Sequence, residues 1–126
     1  MVSPVPRTVL ILFALCLLGA CVVHVADLWQ HGWLPYHFAP FPLNAYWTAL
    51  TFLDAFAAVL LLSRPRTGLA LALLIIASDV ALNLFSRFYL HLHLRALVLW
   101  LQLLFFVAVV AATVYARRAG PATPTI

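Results

Sequence analysis

Residues 8–29 read TVLILFALCLLGACVVHVADLW, 22 residues with a single acid and no arginine or lysine among them. As an α-helix this stretch would rise about 33 Å at 1.5 Å per residue, enough to cross a hydrocarbon core of roughly 30 Å. Three more apolar runs follow, at about 44–62, 69–90 and 94–116. The chain of 126 residues is 67% hydrophobic and only 8% charged, where soluble proteins average about 25% charged. These features predict an all-α polytopic membrane protein, an antiparallel bundle of four transmembrane helices. Residues 1–126 would form one transmembrane domain, with no length left for an appended soluble module.

The segments between the runs set the connections. Residues 30–43 contain Pro35, Pro40 and Pro42, which oppose a helix, and Trp33, Tyr36, Phe38 and Phe41, which favour a membrane interface. They predict an interfacial loop lying over the bundle as a lid. Asn44 stands where a second helix would begin and is read as its N-cap. Ser63-Arg64-Pro65-Arg66-Thr67-Gly68 predicts a tight basic turn that makes helices two and three antiparallel neighbours. His91-Leu92-His93 links helices three and four, Arg117-Arg118 closes the bundle, and Gly120 to Ile126 reads as a disordered tail.

The net charge of +4 comes from seven arginines, no lysine and three acids. The arginines sit singly or in pairs at the ends of apolar runs, where they mark orientation, so nucleic acid is not expected as a partner. Arg7, Arg64, Arg66, Arg117 and Arg118 fall on one side and only Arg87 and Arg95 on the other. Five against two places both termini in the cytoplasm. The absence of lysine and the abundance of Ala and Leu have the style of a high-GC bacterium, which points to a bacterial inner membrane and to membrane lipids as partners. Leu18-Gly19-Ala20-Cys21 has the look of a lipoprotein cleavage site. The apolar run continues through Val22-Val23 where a mature lipoprotein turns polar, so a retained span is expected. Cys16 and Cys21, five apart on one helix, do not face each other for a disulfide and read as buried inert thiols. No internal repeat is visible, which removes support for an inverted-repeat transporter.

All three acids, Asp27, Asp54 and Asp79, lie inside apolar spans. An aspartate there costs several kcal/mol on insertion scales, about 2.5 to 3.5 at the helix centre, so such residues usually face the bundle interior and mark a ligand, ion or proton site. The bland alternative is a neutral interhelical tie. Asp54 and Asp79 fall near the midplane of their spans, and Asp27 lies in the last outward turn of the first, three residues after His24 and on the same face. Trp47, Thr51 and Asp54 form one stripe of the second helix; Asp79, Asn83 and Arg87 form another on the third. Trp100 and Gln102 add polarity to the outer half of the fourth. The expectation is an outward-facing pocket with Asp54 and Asp79 on its floor, walls of Trp47 and Trp100, and a polar centre of His24, Asp27, Thr51 and Asn83. Aromatic faces and an ionised acid both attract a protonated amine, so a lipophilic and cationic small molecule suits it. As catalytic candidates Asp54 and Asp79 would divide the roles of proton donor and base.

Other chemistries find little footing. Histidines 24, 31, 37, 91 and 93 all fall on the outer side, but no pair has helical ligand spacing, and no metal or cofactor is expected. There is no Gly-rich phosphate loop and no nucleophile elbow, which leaves hydrolase and nucleotide-binding readings without a motif.

His24 with Asp27, Trp47 with Asp54, and Asp79 with Asn83 together resemble the EXPERA superfamily of four-helix membrane proteins, the emopamil-binding sterol isomerases and the sigma-2 receptor type. The resemblance spans most of the chain on sparse positions. It implies an intramembrane cavity for a sterol-like or amine-bearing lipophile, whose acids bind a cation or move protons in a double-bond shift. This chain is shorter and has Asp where those proteins often use Glu, and a bacterium is not expected to offer a sterol. Three readings therefore stand together: a lipophile-binding protein, an isomerase-type enzyme using paired aspartates, and a small proton-coupled exporter acting as a homo-oligomer. The last lacks the mid-helix Glu of the first span, since residues 9–23 contain no acid.

Overall fold

The structure is a computed structural model that describes residues 3–120. The expected disordered tail falls on residues 121–126, outside the described residues, apart from Gly120. Four helices account for most of the chain: α1 (Arg7–His31), α2 (Phe41–Ser63), α3 (Pro65–Phe88) and α4 (Ala96–Arg118). All four are long and apolar enough to cross a membrane. No strand occurs among the described residues.

Proline shapes the starts. Pro42 occupies the first turn of α2 and Pro65 opens α3, positions where a missing N–H costs nothing because the first turn has no intrahelical acceptor for it. This corrects two expectations. Helix α2 begins at Phe41 and not at Asn44, so Asn44 is not an N-cap but lies in the first turns of the helix, buried. The anticipated turn over residues 63–68 shrinks to Arg64 alone, with α3 already formed at Pro65. The hairpin is that tight because Gly68 lets α3 press on α2. A Cβ at Gly68 would stand 2.6 Å from the Leu60 carbonyl carbon and the Leu61 Cα.

Helix α1 ends where Gly32 takes φ +83° and donates its N–H to the Leu28 carbonyl at 2.9 Å. Leu34 then adopts a left-handed φ of 53°, which costs a non-glycine residue roughly 1–2 kcal/mol. Asn44 holds it there: its Nδ2 donates to the Leu34 carbonyl at 2.9 Å while its Oδ1 accepts the Tyr36 N–H at 3.0 Å. One buried amide thus satisfies two backbone groups of the loop and fixes it over the start of α2.

The helices pack in sequence order, α1 on α2, α2 on α3 and α3 on α4. Trp47 meets Asn83 and Leu61 meets Gly68, so α2 and α3 run antiparallel; Asn83 meets Gln102 while Leu73 lies near Thr113, so α3 and α4 do as well. Small side chains, Ala57, Ala58 and Ala72, are almost fully buried at the contacts, as expected where helices associate by close backbone approach. Around them pack Leu10, Leu17, Leu50, Leu61, Leu69, Ile75 and Ile76. The outside is equally apolar: Leu12, Leu15, Phe52, Phe56, Leu74, Leu104 and Val107 are exposed. Polarity is instead concentrated inside, in Asn44, Thr48, Thr51, Asp54, Asp79, Asn83 and Ser86. Cys16 is exposed on α1, contrary to the expectation of a buried thiol, and Cys21 is half-buried.

Candidate functional site

The polar interior lies toward the end of the bundle that carries the 32–40 loop, and two hydrogen-bonded chains build it. The first joins α1, the loop and α2. His24 Nδ1 lies 2.6 Å from the Tyr36 hydroxyl oxygen, and Tyr36 donates its O–H to Asp27 Oδ2 at 2.9 Å. With the phenol proton committed to Asp27, His24 must donate from Nδ1. Its other nitrogen, Nε2, faces Asp54 Oδ2 at 4.0 Å. A favourable contact there needs a proton on one of the two.

The second chain joins α2, α3 and α4. Trp47 Nε1–H donates to Asn83 Oδ1 at 2.9 Å, Asn83 Nδ2 to Gln102 Oε1 at 2.8 Å, and Gln102 Nε2 to Asp79 Oδ2 at 3.1 Å. The two chains touch through rings, with Tyr36 edge-on to Trp47 at 5.5 Å between centroids. Nearby, the Tyr46 hydroxyl and Ser78 Oγ are 2.6 Å apart, a further tie between α2 and α3.

Among the described residues, two buried side-chain polar atoms have no partner: Asp79 Oδ1 and Thr51 Oγ1. Such orphans are few in folded proteins and each costs on the order of 1–3 kcal/mol. Arg87, expected one turn beyond Asn83, donates Nη1–H to the Leu94 carbonyl at 2.6 Å and pins the α3–α4 connection. Apart from His24 beside Asp54, no ion pair reaches an acid among the described residues. Asp54 and Asp79 are thus buried carboxyl groups without a guanidinium or ammonium partner.

The loop covers this centre. Phe38 and Tyr36 both lie against Trp47, with centroids 6.0 and 5.5 Å away. Outside the spans, burial pushes the Tyr36 phenol well above its ordinary value, and the hydrogen bond to Asp27 pushes it further. The hydroxyl therefore keeps its proton as long as the loop is docked.

Of the residues singled out from sequence, His24, Asp27, Trp47, Thr51, Asp54, Asp79 and Asn83 converge on this centre. Trp100 does not: it is 70% exposed on the outer side of α4. Its neighbour in sequence, Gln102, reaches the site instead. At 100° per residue, two positions apart on a helix are 200° apart, so Trp100 and Gln102 cannot share a face. Tyr36, Asn44 and Gln102 are the residues the sequence reading passed over as site residues. Tyr36 is one hydroxyl among the loop aromatics, with no pattern that marks it as the connector. Two cavities open elsewhere, one between α3 and α4 at the arginine-rich end and one along the α1–α4 seam beside Phe13. Among the described residues no three His, Cys, Asp or Glu side chains converge as metal ligands. Compared with models of protein families, with curated proteins and with solved structures, the chain finds no match.

Proposed function

We propose that the chain is a multi-pass membrane protein, with both termini on the cytoplasmic side of a bacterial inner membrane, that binds the cationic head of a lipophilic small molecule at Asp54 and Asp79. The observation that carries this reading is the pair of buried carboxyl groups without a cationic partner, next to the orphaned acceptors Asp79 Oδ1 and Thr51 Oγ1. An isolated carboxylate in an apolar interior is too costly to stand bare and must be neutralised by a proton or a cation. An ammonium group supplies both the charge and the N–H donors that these oxygens lack. Trp47 and Tyr36 add aromatic surfaces that attract the same group. The ligand enters as the 32–40 loop lifts, because that loop closes the site. The outer surface, apolar all round, and the interior polarity are the distribution expected of helices solvated by lipid. The resemblance to EXPERA proteins points the same way, toward an amine-bearing lipophile.

A second reading has its own support. The line Asp54, His24, Tyr36, Asp27 is a set of groups able to pass protons between the interior and the loop. A membrane isomerase that moves a double bond needs a donor and an acceptor on either side of its substrate, and Asp54 and Asp79 would serve.

The test is fluorescence quenching in a variant with Trp29, Trp33 and Trp100 changed to Phe, leaving Trp47 as the reporter. A long-chain ammonium brominated near its head should quench saturably, its alcohol counterpart should not, and Asp54→Asn should abolish the difference. Equal quenching by amine and alcohol would sink the cation-binding reading. A chemical change in an added sterol-like alkene, dependent on Asp54, would replace it with the enzyme.

A further inference from the structure

At the end of the bundle opposite the acids, α3 begins and α4 finishes side by side. Between them lies a cleft of about 450 Å³, lined by Arg66, Leu69 and Leu73 of α3 and by Thr113 and Arg117 of α4, with Ser3 at its edge. That volume is in the range of small-molecule sites, roughly 300–1,000 Å³. All three acids of the chain lie in α1, α2 or α3 away from this end, so neither guanidinium forms an ion pair among the described residues. The helix ends offset one another. The start of α3, which has no side-chain cap, contributes about half a positive charge and the end of α4 about half a negative one. What remains is the charge of two arginines over apolar walls. Thr113 spends its proton on the Val109 carbonyl at 2.8 Å, so the donors facing the cleft are the guanidiniums and Ser3.

We propose that this cleft binds the phosphate head group of an anionic phospholipid, with Arg66 and Arg117 on the phosphate and Leu69 and Leu73 along the start of an acyl chain. Guanidinium forks match phosphate oxygens. The cleft sits at the ends of two helices long and apolar enough to span a membrane, and basic pockets between helices at that level suit anionic head groups. The α3–α4 contact is thereby braced from the side opposite to the Asn83–Gln102 bond.

Native mass spectrometry in mild detergent, with phosphatidylglycerol or phosphatidylcholine added, tests the site. The wild type retains one phosphatidylglycerol in preference to phosphatidylcholine. Arg66→Gln/Arg117→Gln weakens that retention roughly thirtyfold, the worth of two interfacial arginines, while Arg64→Gln/Arg118→Gln, of equal net charge, keeps it. Far-UV circular dichroism shows that both variants remain helical. Unchanged retention in the first variant, equal loss in the second, or no preference between the lipids overturns the proposal. Inorganic phosphate titrated into lipid-stripped protein separates the sources. Saturable phosphate binding through Arg66 and Arg117 without phosphatidylglycerol retention assigns the site to soluble phosphate and overturns the lipid. Phosphatidylglycerol retention without phosphate binding places the acyl contacts in the site.

Discussion

Asn83→Leu is the sharpest probe of the interior network, because the Asn83 amide ties three helices. Its side chain is 6% exposed, accepts from Trp47 at 2.9 Å and donates to Gln102 at 2.8 Å. Leucine keeps the same branched skeleton of side-chain heavy atoms, so the change removes hydrogen bonds without opening a cavity. The two losses are unequal. The Trp47 N–H is on a residue 5% exposed, with no water to turn to, and orphaning it costs about 1–3 kcal/mol. Gln102 is half-buried and can rotate its carbonyl away, so its loss is nearer the average of about 0.6 kcal/mol for hydrogen bonds between membrane helices. The sum is about 1.6–3.6 kcal/mol, roughly a fifteen- to four-hundredfold shift in the unfolding equilibrium. The assay is titration with sodium dodecyl sulfate of protein in bicelles, followed by far-UV circular dichroism. In a Trp47→Phe background there is no N–H to orphan, so the same substitution should cost at least about 1 kcal/mol less. A cost within about 0.5 kcal/mol of zero, the range of inert surface changes, or an equal cost in both backgrounds, would refute the network.

Two more outcomes follow from the hairpin and the lid. Gly68→Ala puts a Cβ 2.6 Å from backbone atoms of Leu60 and Leu61, about 1 Å inside ordinary contact, and backbone cannot rotate aside. A destabilisation of about 1–3 kcal/mol is expected from such overpacking, read as a lower detergent midpoint; an unchanged midpoint would mean that α2 and α3 do not approach this closely. Tyr36 holds its proton more tightly with the loop docked than undocked. Docking is therefore fully stable below the ordinary phenol value of about 10 and weakens as pH rises through the raised value. Hydrogen exchange of residues 33–40 should accelerate above that pH in the wild type. Tyr36→Phe, lacking the bond to Asp27, should exchange roughly tenfold faster at neutral pH, for a net loss of about 1.4 kcal/mol, and lose the alkaline step.

Much of this molecule is written locally. Hydrophobic runs long enough to cross a bilayer name the four helices, and their limits hold to within four residues, because a helix buries its own backbone polar groups and needs no neighbour to exist. The inward position of Asp54, Asp79, Asn83 and Trp47 follows from the same physics, since a polar side chain on an apolar helix gains most by facing its neighbours. Helical geometry alone also separates Trp100 from Gln102, so only one of them could have reached the centre.

What the sequence did not decide is which partners those inward groups find. Apart from Gln102, residues 96–112 of α4 are apolar, so its rotation is settled by what α3 presents, and Asn83 pairs with Gln102. The fate of Asn44 is likewise tertiary: the same amide could cap a helix or clamp a loop, and Pro42 two residues earlier, together with a left-handed Leu34, makes it the clamp. Tyr36 joins His24 to Asp27 only because that clamp holds the loop against Trp47. Hydrophobic spans are a property of each segment by itself, whereas hydrogen-bond partners depend on distances between segments, and those exist only once the helices have packed.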